Sequence, residues 1–494
     1  MKTRIFLIAL SLLLVVSLLL SCSQNSGDNN TEKADNNSST EAEAEEATEI
    51  PVATEYIPDL PKVDMSGKTF TILSSNWAQG YEPLYINDIY SEELNGDPFN
   101  DAVYNRIIYM EDKYNIKIEH ADMERMISLD SLRKTVNANE DAYDLYLMRA
   151  ADFNTIVSNR YAVDLGEVEY MNLSQPWWDS NSYESFSLLG KHYGICSDIT
   201  TNDELAVWCM FFNKNMLQNL ALESPYSLVT NGKWTYDKVF EMGKVASKDV
   251  NSDGKMDRND TFGIHTIRDA FSGMLNGAGI FFGEIDKDGN LTFTLKNGDN
   301  LTKIINIFTG MFDKNEVYNM HVRGEGITDA QMLSNGQALF DFSGIQIVRR
   351  LREMEDDFGI LPYPKYDENQ AEYMSSISPW YLTLAIIPTT NTDLENTGII
   401  MEEMAYQGYK NLRPAFYENL LQRKIARDSE SGEMFDYLFN NVKYDSGAIW
   451  NMGGFATSFV MDLVNSYETN VTSYIEKREG MVQTGIDKIM EAME

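Results

Sequence analysis

Cysteine and histidine are nearly absent from this sequence, at three and four among 494 residues. Cys22, Cys196 and Cys209 allow at most one disulfide, and His120, His192, His265 and His321 are too scattered for a metal-import cluster. Positive charge is also scarce: 40 Lys+Arg stand against 76 Asp+Glu, a formal net charge of −36. Nucleic acid is excluded as a partner, because its phosphates are neutralised by Lys and Arg. A local basic pocket would still suffice for an anionic ligand, although the global field would repel it. The sequence has no His-Glu-x-x-His, no Cys-x-x-Cys, no Gly-x-Ser-x-Gly and no Gly-rich phosphate loop ending in Lys-Ser/Thr. The usual signatures of metallo-, covalent and nucleotide chemistry are therefore missing.

What is present belongs to a folded protein: 43% hydrophobic and 12% aromatic residues rule out disorder as the main state. The length suggests two or three domains. At the N-terminus, Lys2 and Arg4 precede an apolar run from Ile5 to Leu20, which has the length of a signal h-region and is short for a bilayer span. The run ends in Leu19-Leu20-Ser21-Cys22, which resembles a bacterial lipobox. Residues 1–21 are thus expected to be a lipoprotein signal peptide, with Cys22 acylated by palmitate-type chains; the alternatives are an ordinary signal peptide or a short anchor. Residues 22–64, rich in Asn, Ser, Thr, Glu and Asp, cannot bury enough apolar area to offset their ordering entropy and read as a disordered acidic tether. Signal removal leaves the chain two charges more negative.

From Lys68 onward, short β-type runs alternate with helical patterns. The runs Lys68–Leu73, Ile116–His120 and Asp144–Met148 are separated by helices over Phe99–Tyr114 and Met126–Ala138. A second such unit begins near Thr201 with the strand Ala206–Phe212, a helix capped by Thr235, and the strands Phe262–His265, Ala338–Phe342 and Phe358–Pro362. Beyond Leu394 the pattern is mostly helical. This order predicts an α/β fold with parallel sheets covered by helices, in which ligands sit off the carboxyl ends of the strands. That rule places Asn76, Trp77, Arg149 and Asp152 at the mouth of the site. Trp208 sits mid-strand and reads as core, while Trp177 and Trp178 form either a rim or loop packing.

The order of several weak motifs carries a resemblance. After the lipobox and tether come Gly190-Lys-His-Tyr-Gly194, Phe212-Asn-Lys-Asn-Met-Leu217, Gly232-Lys-Trp-Thr-Tyr-Asp237 and Gly336-Gln-Ala-Leu-Phe-Asp341. Leu361-Pro-Tyr-Pro-Lys365 and Ala385-Ile-Ile-Pro388 close the series. Together they resemble the family 1 extracellular solute-binding proteins of bacterial ABC importers, the maltose-binding-protein-like cluster. The resemblance implies a two-lobe, type II periplasmic-binding-protein-like fold with crossing hinge strands and a helical C-terminal extension. Lobe 1 would comprise residues 65–200 and about 376–411, and lobe 2 residues 201–375 and about 412–494. The first crossing follows Ile195–Asp198, so Asp198 and Thr200 would lie at the hinge, and the return runs through Ser378–Tyr381. Phe342, in Asp341-Phe-Ser343-Gly344, would be the cleft aromatic, although Leu339 stands where Met is usual. Trp450 could reach the cleft from the extension. Trp380 and Tyr381 suit a pyranose, whose C–H faces pack on aromatic rings while polar side chains bind its hydroxyls. Arg149 and Arg268 could instead clamp a carboxylate of a peptide or acidic sugar.

Asp249-Val-Asn251-Ser-Asp253-Gly254-Lys255-Met-Asp257-Arg-Asn-Asp260 has the spacing of a calcium loop, with Lys255 ligating through its carbonyl. A structural calcium clip is the reading there, and a charged surface turn the alternative. Asp286-Lys-Asp-Gly-Asn290 reads as a hairpin turn. Cys196 and Cys209 either pair or are buried thiols. The resemblance thus implies no enzyme but a monomeric, exported substrate-binding lipoprotein, anchored at the outer face of the cytoplasmic membrane (or in the periplasm). It would capture a small solute, expected to be an oligosaccharide, and deliver it to an ABC permease, with no cofactor required. The alternatives are a surface glycoside hydrolase with two carboxylates, or a sensor or peptide-binding protein on the same fold.

Overall fold

The computed structural model describes residues 56–76, 87–328, 330–351, 354–422 and 429–493. The expected signal peptide, Cys22, most of the tether and Trp77 lie outside the described residues. Residues 56–65 have no regular structure, yet Leu60 and Val63 pack against the core. Asp64 accepts hydrogen bonds from Ser66 N at 2.8 Å and Asn115 Nδ2 at 2.7 Å. The folded body therefore starts a few residues before the boundary expected at Asp64.

In chain order the strands are β1 (Lys68–Asn76), β2 (Ile116–Glu124), β3 (Leu145–Arg149) and β4 (Trp208–Asn213). Next come β5 (Phe262–Thr266), β6 (Gly283–Ile285), β7 (Leu291–Phe293), β8 (Val317–Asn319) and β9 (Ala338–Gly344). β10 (Phe358–Leu361), β11 (Ser375–Ser376), β12 (Thr383–Ile386) and β13 (Val442–Lys443) complete the set among the described residues.

The first sheet has the order β12-β3-β1-β2, with β1 parallel to β2 and β3, and β12 antiparallel to β3. Parallel neighbours need crossovers, and the helices Pro98–Tyr114 and Arg125–Ala138 provide them. The first of these helices starts where Asp97 accepts from Phe99 N and Asn100 N with Pro98 in the first turn, and it stops at Asn115 in the left-handed region. Its buried Phe99, Val103, Ile107, Met110 and Tyr114 recur at helical spacing and face the sheet. The second sheet has the order β10-β4-β9-β5-β8, with β5 parallel to β8 and β9, and β4 antiparallel to β9 and β10. β3, β5 and β9 are buried along their whole lengths, as strands covered on both faces must be. β6 and β7 form the hairpin expected around Asp286, whose Oδ1 accepts from Asp288 N and Asn290 N at 2.9 Å.

Two crossing segments run side by side between the sheets. Ile195 bridges Ala385 and Val207 bridges Ile377, both antiparallel, and Ser378 N donates to Ala206 O at 2.9 Å. The chain passes a third time after the helix Leu394–Gln407, through a wide helical turn at Gly408–Leu412 into the helix Arg413–Gln422. The C-terminal part is helical as expected, ending in Phe455–Ser466 and Val471–Met493. Cys196 and Cys209 are both free and buried.

Candidate functional site

A cavity of about 580 Å³ opens off the carboxyl ends of strands from both sheets. Ala151 follows β3, Ile267, Arg268 and Asp269 follow β5, and Met320 and His321 follow β8; all line it. The return crossing contributes Pro379, Trp380 and Tyr381, and the C-terminal part contributes Asn451 and Thr457. This is the position at which α/β sheets bind ligands.

The wall around Trp380 is built by main-chain pairing. Ala150 N donates to Leu382 O and Ala151 N to Pro379 O, both at 2.9 Å, so the end of β3 holds the return crossing in place. Behind Trp380 lies the buried Arg149, its guanidinium carbon 5.8 Å from the ring centroid. Arg149 Nη2 donates to Asp152 Oδ2 at 2.6 Å. The structure therefore brings Arg149, Asp152, Trp380 and Tyr381 together, with Trp380 and Tyr381 on the wall and the Arg149–Asp152 pair supporting it. On the facing wall, Arg268 Nε donates to Asp269 Oδ1 at 3.4 Å, and Arg268 N donates to His321 Nδ1 at 3.2 Å. With Nδ1 accepting, neutral His321 carries its proton on Nε2.

The other sequence-derived candidates lie elsewhere. Phe342 and Ser343 are fully buried in β9. Phe342 stacks at 6.3 Å on Tyr236 and meets Tyr363 edge-on at 5.1 Å, and Ser343 O accepts from Tyr363 Oη at 2.9 Å. Phe342 belongs to the core, not to the cleft, because β9 is covered on both faces. Asp198 and Thr200 are buried in the first crossing, where Thr200 Oγ1 accepts from Asn202 N at 3.0 Å; neither lines the cavity. Asn76 ends β1 opposite Glu124. Trp177 and Trp178 form no rim: both are buried and donate through Nε1 to Glu402, at 3.1 and 2.8 Å. Trp208 is buried core. Trp450 is buried against Phe153, with ring centroids 4.8 Å apart, while its neighbour Asn451 reaches the cavity. His321, Asp269, Arg350 and Asn451 were not legible as site residues. The first two directly follow strands, and that position was the available signal.

The hinge concentrates buried charge. Arg413 Nη1 donates to both carboxylate oxygens of Asp198 at 3.2 Å, and its Nε lies 3.6 Å from Glu204. Asp88 accepts from Thr201 N at 2.7 Å, and Arg106 Nη1 donates to Ile199 O at 2.8 Å. Burial pushes Asp198 up to about 7, against the pull of Arg413 and helped by Glu204 and Asp179. Burial likewise raises Glu402 to about 7, and Asp88 and Asp445 to about 6. Each group holds a proton in the folded chain at pH values where the unfolded chain has released it, so stability is lost as pH rises from about 4 to about 7. Burial holds His120 and His192 below their ordinary range, which works the opposite way below about pH 6.5, but the carboxyls raised by burial outnumber them. The melting midpoint is expected to be about 5 °C higher at pH 5.5 than at pH 8. A midpoint that falls on acidification across that interval would contradict this.

The calcium-type loop closes on itself. Asp249 accepts from Ser252 N at 2.6 Å and Gly254 N at 2.8 Å, Asn251 from Asp253 N at 2.8 Å, and Asp253 from Lys255 N at 2.9 Å. Asp257 accepts from Asn259 N at 2.8 Å. The fully buried Asp260 accepts from Val250 N and Asp257 N at 2.9 Å. Among the described residues no three His, Cys, Asp or Glu side chains converge as a metal site. The carboxylate of Asp260 ties the two ends of the loop before β5.

No family model and no curated protein matches the chain. Its fold matches solved structures. An ABC substrate-binding protein from Listeria monocytogenes in complex with cycloalternan is 12% identical with a TM-score of 0.55, covering 86% of this chain and 99% of that one. CpMnBP1 with mannotriose bound is 15% identical with a TM-score of 0.54, covering 85% and 100%. A family 1 extracellular solute-binding protein from Bifidobacterium longum subsp. infantis is 14% identical with a TM-score of 0.51, covering 86% and 99%. The chain has the two-lobe, periplasmic-binding-protein-like α/β fold of these proteins. Among the described residues no helix is long and apolar enough to cross a membrane.

Proposed function

We propose that this chain is the substrate-binding lipoprotein of an ABC importer. Acylated at Cys22 and tethered at the outer face of the cytoplasmic membrane, it captures an oligosaccharide between its lobes and delivers it, as a monomer, to a membrane permease. Lobe 1 comprises residues 65–200 with about 376–411, and lobe 2 comprises residues 201–375 with about 412–494. They close by bending at the crossings. One observation carries the reading: a cavity of about 580 Å³ lies off the strand ends of both sheets, with Trp380 and Tyr381 of the return crossing on its wall. An aromatic wall facing convergent polar groups suits a sugar. Binding without chemistry is favoured because paired-carboxylate hydrolysis needs two carboxylates at the bond, and among the described residues Asp269 is the one acidic residue that lines the cavity. The solved structures of like fold include proteins with cycloalternan and mannotriose bound, which supports a saccharide.

The test is a thermal-shift screen of the detergent-purified full-length chain against oligosaccharides and short peptides. A saccharide at 100 times its dissociation constant should add about 2.7 kcal/mol to stability, and Trp380→Ala should abolish that shift. A shift with peptides alone, or cleavage of a glycan during incubation, would overturn the saccharide-binding reading.

A further inference from the structure

The C-terminal part of the chain builds one wall of the cavity from Ala448, Asn451, Ala456, Thr457, Val460 and Met461. Alanine, valine and methionine make that wall largely apolar, and among the described residues Asn451 and Thr457 supply its polar side chains. A hydrogen-bonding group on an apolar wall selects its ligand, because a ligand that fails to pair with it leaves it unsatisfied.

Asn451 is held in an uncommon conformation. Its φ of 44° and ψ of 48° lie in the left-handed region, which costs a residue with a side chain energy and persists where the surroundings impose it, often at binding sites. The neighbours on both sides impose it here. Trp450 is fully buried against Phe153. Gly453 and Gly454 also have positive φ, 64° and 81°, and Gly454 N donates to Asn451 O at 2.5 Å. Gly453 is pressed against the helix Val471–Met493, where a Cβ on it would stand 2.8 Å from Met481 O.

The side chain is fixed as well. Thr457 N donates to Asn451 Oδ1 at 3.2 Å. A main-chain N–H can meet only the oxygen of an amide, so this contact decides which way the Asn451 amide faces. Its Nδ2 keeps both hydrogens, since among the described residues no acceptor takes them. The half-buried amide therefore offers two donors to hydroxyl or ring oxygens, while Trp380 in the same cavity offers a flat face to the C–H side of a ring.

We propose that Asn451 is a specificity-determining residue of the solute site, its Nδ2 donating to an oxygen of a saccharide whose ring packs on Trp380. This rests on the saccharide-binding reading above. The experiment is calorimetric titration of the detergent-purified full-length chain with maltotriose, cellotriose, mannotriose and raffinose, using the parent, Asn451→Gly and Asn451→Asp. A melting scan of each protein without sugar accompanies it. Glycine accepts the left-handed backbone and deletes only the amide. Aspartate keeps the oxygen that Thr457 N needs and replaces the donors. Expected is at least tenfold weaker binding of the best-bound sugar in both variants, with the sugar-free midpoint of Asn451→Gly unchanged or raised. Having both variants keeps the test decisive if one of them fails to fold. Unchanged affinity in either folded variant would overturn the role of Asn451 and leave saccharide capture standing. Weaker binding accompanied by a lowered midpoint in both variants would assign Asn451 to the fold of the turn and overturn the role too. Binding of none of these sugars, and of none in the thermal-shift screen, would overturn both readings.

Discussion

Arg413→Leu is expected to remove about 3 kcal/mol or more of stability at pH 8, because breaking a buried ion pair leaves its partner charge uncompensated. Arg413 begins the helix after the third crossing, and Asp198 lies on the first, 215 residues away in sequence. Asp198 and Glu204 side chains are only 6% exposed. Asp179 and Asp203 press on the same pocket, and burial raises both. One guanidinium thus faces four carboxylates, and its removal leaves these desolvated groups without that compensating charge. Protons can replace it, so the loss should shrink at pH 5.5, where Asp198 is neutral. Urea unfolding at the two pH values separates this from lost packing, which would cost the same at both. A loss below about 1 kcal/mol at pH 8, the scale of an exposed pair, would show that the cluster does not tie the crossings together.

The same hinge shows how much was legible in the sequence. Alternation of β-type runs and amphipathic helices places β1, β2 and β3 and their covering helices correctly, because each needs only local periodicity and caps such as Asp97 and Thr235. The crossing at Ile195–Asp198 and the return at Ser378–Tyr381 followed from motif order, and Trp380 and Tyr381 reach the cavity because a crossing chain must pass its mouth. Phe342 failed for a physical reason: a strand buried on both faces has no periodicity to separate a cleft side chain from a core one. His321 follows β8, a strand of three residues, too short to announce itself. The partnership of Asp198 with Arg413 has no local signal at all, since it exists only once the third crossing packs against the first.

That packing makes Gly408→Ala the second substitution of large expected effect. Gly408 has ordinary helical angles, φ −62° and ψ −51°, so alanine meets no backbone penalty there. In an exposed helix the change would stabilise by about 1 kcal/mol. Here a Cβ would stand 1.6 Å from the carbonyl oxygen of Asp198 and 2.6 Å from its carbon. Both are main-chain atoms of the first crossing and cannot swing aside as a side chain would. Either the helical turn withdraws from the hinge or the first crossing shifts, and both responses open the contact that Arg413 closes. The expected loss is about 3 kcal/mol, at the upper end of overpacking costs, measured by urea unfolding. The sign is the decisive feature, because propensity alone makes alanine favourable. A variant as stable as the parent, or more so, would mean that the third crossing does not approach Asp198 this closely. Combined with Arg413→Leu, the loss should fall short of the sum of the two, since both substitutions break one contact between the same two segments. Additive losses would assign Gly408 and Arg413 to independent parts of the hinge.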